Sequence, residues 1–131
     1  MEGRHSAVVR QVYDALSRAD MDAAVEWMTA DVEFVNPHDA VEPGTRRGHD
    51  GFRAAIANMR ATFPVFAYSV ATLEERGDRV MASATFRARS EAQETDISAL
   101  RHHVWTMRDG KVVRFEWFNS REEALAAFDS A

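Results

Sequence analysis

Apolar positions near the start of the chain recur at helical spacing. In SAVVRQVYDALSRAD, residues 6–20, Val8, Val9, Val12, Tyr13 and Leu16 fall on one stripe, and Ser6 is placed to cap the helix they predict. A second, short helix follows, capped by Asp20, with Ala23, Ala24, Trp27 and Met28 on its apolar face. The period then drops to two. In VEFVN, Val32, Phe34 and Asn36 share one face of a strand and Glu33 and Val35 the other. Helical spacing returns in DGFRAAIANMRATF, residues 50–63, where Phe52, Ile56, Met59 and Phe63 follow at three- and four-residue steps until Pro64 stops the helix.

The remainder reads as strands. FAYSVATLEE leads to a turn at Gly77-Asp78, and VMASATFRAR puts Val80, Ala82, Ala84, Phe86 and Ala88 on one face. The polar run SEAQETD reads as an exposed loop. ALRHHVWTM and KVVRFEWF are joined by Asp109-Gly110, a strong hairpin signal, and SREEALAAF closes the chain as a short helix capped by Ser120. Helices and one strand, a long helix, and then an antiparallel meander predict an α+β fold. The expectation is a single domain over residues 1–131, with a core over about 6–128. About three helices pack on a strongly curved, mostly antiparallel sheet of four to six strands, forming a cone with an internal pocket.

Composition narrows the functional classes. At 131 residues the chain can bury roughly two thirds of its unfolded surface. A net charge of −5 without a clustered Lys/Arg stripe argues against a nucleic-acid partner. With no Cys there are no disulfides, thiolate nucleophiles or thiolate metal sites. No apolar run approaches the roughly 18 residues of a membrane span, and the N-terminal MEGRHSAVVRQ lacks the apolar core of a signal peptide. The expected location is the cytoplasm, with no membrane partner.

Four stretches carry a resemblance: VYDALSRADMDAAVEWMTADVEF, the strand end Asn36-Pro37, the helix start GHDGF, and HVWTMRDGKVVRFEWFNSREEAL. Over nearly the whole chain, Val8 to Phe128, the sequence resembles the SnoaL-like branch of the cone-shaped superfamily named after nuclear transport factor 2. That superfamily holds isomerases, epoxide hydrolases, polyketide cyclases and binding domains, so the resemblance is specific for fold and poor for function. It implies that the cone interior holds a ligand. Strand parity aims Phe34, Asn36 and Phe86 inward, and the resemblance adds Arg101, His103, Trp105 and Met107 on ALRHHVWTM and Val113, Phe115, Trp117 and Asn119 on the last strand.

The resemblance also implies which chemistries are missing. Ketosteroid isomerase-like members carry a carboxylate base at the position of Asn36, a Tyr at that of Val12 and an acid at that of His103. Here Tyr13 is one residue off, about 100° around the helix. Limonene epoxide hydrolase-like members have an Asn at Asn36, but their Asp-Arg-Asp relay falls on Ala84, Phe86 and Trp117. In SnoaL-type cyclases an acid sits where Trp117 points inward, and Glu116 is expected to point away.

What remains is a polar pair, Asn36 and His103, in an aromatic box of Trp27, Phe34, Phe86, Trp105 and Trp117. His103 is the candidate general base or hydrogen-bond donor, and Asn36 the residue that orients a water or carbonyl. Tyr13, Met59, Phe63, Arg101 and Phe115 are further candidates for ligand contact. At the mouth, His38 and Asp39 form a candidate second acid–base pair, and Arg46 is placed to meet an anion. No metal site is expected, because His38, Asp39, Glu42 and His49 match no ligand spacing. Structural readings stand beside these: Asn36 satisfying backbone at a strand end, His103 as a core histidine, and Trp117 filling the pocket.

The functional expectation is a protein that binds, and isomerises, cyclises or hydrates, a small, mostly apolar cyclic metabolite without a cofactor. The alternatives are a non-catalytic binding module, or a structural domain with a filled cone. A homodimer is expected through the outer sheet face, where Thr85, Val104 and Phe118 would otherwise be exposed.

Overall fold

The computed structural model describes residues 3–89 and 96–130, so most of the SEAQETD run lies outside the described residues. The element order is α1 (Arg4–Ser17), α2 (Met21–Glu26), β1 (Met28–Asn36), β2 (Gly44–Arg47), α3 (Gly48–Thr62), β3 (Val65–Arg76), β4 (Arg79–Arg89), β5 (Asp96–Arg108), β6 (Lys111–Phe118) and α4 (Arg121–Asp129). The strands make one open sheet in the order β2-β1-β6-β5-β4-β3. Among the described residues only β1 and β6 pair in parallel, with Phe34 opposite Phe115. The helices α1 and α3 pack on one face and α4 on the other, as expected for the cone-like α+β fold.

The alternation in β4 does what its pattern implies. Val80, Ala82, Ala84, Phe86 and Ala88 are all buried beneath α1 and α3, in one core with Val9, Val12, Phe52 and Trp105. Asp109 and Gly110 both take positive φ, 53° and 79°, as a two-residue hairpin turn matched to strand twist requires. Asp20 accepts from the Ala23 N–H at 3.1 Å, and Ser120 from the Glu123 N–H at 3.2 Å, so both expected caps are present.

Several expectations are corrected. Helix α1 starts at Arg4, and Ser6 lies buried inside its first turn. The cap comes from across the fold: a Glu75 carboxylate oxygen on β3 accepts from the Gly3 N–H at 3.0 Å, the Ser6 N–H at 2.9 Å and the Ser6 hydroxyl at 2.8 Å. Helix α2 ends at Glu26, so Trp27 is its C-cap and Met28 already belongs to β1. The polar rim after Asn36 hides an edge strand, β2, which pairs Gly44 with Asn36. In β6 the register slips between Thr106–Arg114 and Met107–Val112, which makes Val113 a bulge. Val112, not Val113, therefore enters the core. Finally, Val104 is not an exposed outer-face residue: α4 lays Ala124 and Phe128 over Val104 and Met81.

The Glu75 cap yields a prediction. Burial works against the Glu75 anion, but bonds from Ser6 and Gly3 outweigh it and hold the carboxyl below its usual range. Its folded value is depressed, so its stabilising contribution is present above the unfolded value and lost as pH falls below it. Glu75→Ala is expected to cost about 1–3 kcal/mol at neutral pH, read as a lower urea midpoint with unchanged slope. A midpoint equal to the parent's would show that the α1 terminus needs no partner.

Candidate functional site

The inner face of the sheet, α1 and α3 enclose a cavity of about 740 Å³, within the range of small-molecule sites. Each wall follows from local pattern. Tyr13 and Leu16 come from successive turns of α1, and Phe52, Ile56 and Met59 from the apolar stripe of α3. Phe34 and Asn36, Phe86, Arg101 with His103 and Trp105, and Phe115 with Trp117 come from alternate positions of β1, β4, β5 and β6. Ala40, Val41, Glu42 and Arg46 form part of the rim, with Glu42 and Arg46 ion-paired at 3.4 Å.

Deep in the cavity three side chains form a chain of hydrogen bonds. The Trp105 indole N–H donates to the Tyr13 hydroxyl at 3.0 Å, and Tyr13 Oη lies 2.6 Å from His103 Nδ1. Indole can only donate, so the Tyr13 oxygen accepts from Trp105; we place the Tyr13 proton on the Nδ1 side, the other tautomer having Nδ1–H donate to the same oxygen. This arrangement assigns the proton of neutral His103 to Nε2, which makes no hydrogen bond among the described residues. Nearer the mouth, the Trp117 indole N–H donates to Asn36 Oδ1 at 2.7 Å.

Burial decides the charge state. Desolvation, assisted by the positive charge of Arg101 and by His102, depresses the His103 pKa from 6.5 to about 3. Desolvation likewise raises Tyr13, against the Trp105 bond, and raises Tyr68 to about 12, against the charge of Arg101. All three groups are neutral across the physiological range. The site can donate hydrogen bonds to an oxygen and surround an apolar body with Phe34, Phe52, Phe86 and Phe115. Among the described residues no carboxylate lies inside it, and the one on its rim, Glu42, is paired.

Tyr13, Phe34, Asn36, Met59, Phe63, Phe86, Arg101, His103, Trp105, Phe115 and Trp117 all line the cavity. Trp27 and His38 do not. Trp27 is 38 % exposed at the end of α2, outside the aromatic box. His38 is exposed and turned toward Asp39 and Glu123, their ligand atoms lying within 4.8 Å of one another. Two roles also change. Asn36 and His103 are not bonded as a pair, since each is held by a different aromatic residue. Burial holds His103 neutral at physiological pH, which works against the general-base role expected for it. Trp117 lines the cavity without filling it.

Tyr13, not Val12, occupies the polar position. Val12 is wholly buried in the core, and the Tyr13 and His103 rings stack at 5.8 Å. Tyr68 is a cavity residue that sequence reasoning missed. Its ring packs on Tyr13 at 5.3 Å and His103 at 5.5 Å. The signal was present, because Phe66 and Tyr68 alternate inward opposite Ala88 and Phe86.

A family model described as "SnoaL-like domain" matches residues 9–115. Solved structures share the fold. TerC, co-crystallised with polyporic acid, is 24 % identical over 98 % of this chain and 100 % of its own, with a TM-score of 0.80. An NTF2-like protein of unknown function from Burkholderia pseudomallei is 22 % identical, with the same coverage and TM-score. IdmH, a candidate polyketide cyclase from Streptomyces antibioticus, is 21 % identical over 95 % of this chain and 97 % of its own, with a TM-score of 0.78. No curated protein sequence matches the chain. Among the described residues no helix is long and apolar enough to cross a membrane.

Proposed function

Because the chain belongs to the SnoaL-like domain family, we propose that its cavity binds a small cyclic, mostly apolar metabolite and polarises one of that molecule's carbonyl oxygens. The observation that carries this reading is the Trp105–Tyr13–His103 chain, which leaves the Nε2–H of a neutral imidazole as a fixed donor inside an aromatic cavity. A donor held in a largely aromatic site strengthens as negative charge develops on the oxygen, so the same geometry suits stabilisation of an enolate. Ring closure or isomerisation through an enolate would also need a base, and among the described residues the interior holds none; the proton would have to pass to water or to another group of the substrate. The missing base favours binding without turnover, and the donor is what a cyclisation would use.

Native mass spectrometry of the protein purified from its own host, followed by denaturing release, tests the reading. A single small cyclic molecule bound per chain is the expected result, released unchanged if the protein is a binder and converted on incubation if it is a catalyst. A chain that is empty and silent in a thermal-shift screen of cyclic ketones would overturn it. A homodimer through the outer face, also proposed, would have a smaller area to use than Val104 implied, namely the part beyond α4 where Val65 and Leu100 are exposed. Light scattering should report twice the chain mass.

A further inference from the structure

Resting on that reading, we propose that the ligand carries an ionised oxygen, either a carboxylate or an acidic enol, which Arg101 holds at the mouth while the carbonyl of the same molecule meets His103 inside.

The charges that line the cavity point one way. The protein as a whole is acidic, with a net charge of −5, yet its cavity wall carries a net positive charge. Arg46 and Glu42 neutralise each other in an ion pair. Arg101 has no ion pair or hydrogen bond among the described residues, although it projects from the inner face of β5, two residues from His103. Its charge is felt inside, because it depresses His103 and works against the burial of Tyr68.

The hydrogen-bonding groups agree. His103 offers Nε2–H. The Asn36 oxygen is taken by Trp117, so two N–H donors remain of that amide. The Tyr68 hydroxyl makes no hydrogen bond among the described residues and adds another donor. The groups that can readily accept, Asn58, Thr62 and Asn119, are exposed at the rim. A wall of donors and an unpaired cation around an aromatic interior is complementary to a ring system whose polar edge is all oxygen, with at least one oxygen ionised. A purely hydrocarbon or amine ligand would leave these donors unmet or add a like charge.

Matched probes separate the possibilities. Naphthoate against methyl naphthoate tests a carboxylate, and ionised hydroxynaphthoquinone against methoxynaphthoquinone tests an acidic enol, each by isothermal titration with the parent, Arg101→Met and Arg46→Met. In at least one pair the ionised form should bind the parent about tenfold tighter or more than the blocked form. Arg101→Met should abolish that preference without weakening the blocked form, and Arg46→Met should retain it. The pair that shows the preference identifies the kind of oxygen. Equal binding of ionised and blocked forms, or a preference that survives Arg101→Met or is lost in Arg46→Met, overturns the assignment of Arg101 but leaves the cavity reading intact. If no probe binds any of the proteins, the cavity reading itself falls and this inference with it.

Discussion

Lowering the pH below 6.5 should destabilise this protein by roughly 1 kcal/mol per pH unit, and His103 should account for most of that slope. The imidazole has a value near 6.5 when solvated and about 3 when folded. Between these limits the unfolded chain holds a proton that the folded chain does not, so stability rises with pH and is lost as pH falls. Carried down to pH 3, the loss is roughly 4–5 kcal/mol, comparable to a large part of a small domain's stability. His102, lowered by partial burial and by Arg121, acts in the same direction. Urea unfolding at half-unit steps from pH 7 to 4.5 measures the slope above the range where Glu75 titrates. His103→Gln keeps a neutral polar group near Tyr13 and should flatten the slope. Imidazole NMR on the parent gives an independent reading, with His103 showing no titration above pH 4.5. A His103 resonance that titrates near 6.5 would contradict both the depressed value and the donor role built on it.

Trp105→Ala is expected to cost about 3–5 kcal/mol, the range for removing a fully buried large aromatic. Trp105 has no exposed surface and contacts Tyr13, His103 and Phe115 at ring distances of 5.3, 6.5 and 4.5 Å. The change opens a void under the cavity floor and also removes the donor to Tyr13. Trp105→Phe separates the two effects. It retains most of the volume but withdraws the N–H, and should cost only about 1–2 kcal/mol in stability. Because Tyr13 is then free to turn, His103 loses its fixed tautomer, and affinity for a carbonyl ligand should fall as well. Denaturant midpoints with unchanged slopes check the first two values. A Trp105→Ala variant as stable as the parent would mean that the floor collapses around the gap at no cost.

Much of the architecture is written locally. The period-two run of β4 and the Asp109-Gly110 turn depend on neighbours in sequence, as do the Asp20 and Ser120 caps, and each is present in the structure. Part of the cavity wall was legible in the same way, because parity along β1 and β4 is enough to aim Phe34, Asn36 and Phe86 inward, whereas β5 is partly apolar on both faces and only the resemblance aimed His103 and Trp105. The failures share a different cause. Ser6 was read as a cap because the true cap, Glu75, lies 69 residues away. Val113 was aimed inward because a one-residue bulge resets parity, and no composition rule announces a bulge. Trp27 was placed on a helix that ends one residue earlier. Tyr13 was a candidate for ligand contact, but it was read as one residue off the helix position where the resemblance puts a polar group. In fact α1 buries Val8, Val9, Val12, Tyr13 and Leu16 together, wide enough to send one residue into the core and its neighbour into the cavity. Pairing Tyr13 with His103 requires knowing how two elements 90 residues apart dock, which is a property of the assembled fold.

The parallel pairing of β1 with β6 sets the order in which this chain can become itself during synthesis. Asn36 leaves the ribosome early, but its partner Trp117 is 81 residues further on, and β6 separates β1 from the rest of the sheet. Until β6 emerges, β1 and β2 have no place in the sheet and the apolar stripe of α3 has only half a surface to cover. The site is therefore among the last parts of the molecule to form, whereas the β3–β4–β5 meander can pair as it is made. Termination after β5 and before β6, between residues 108 and 111, should leave a meander without a cavity, exposing the faces of α1 and α3 that a chaperone would recognise.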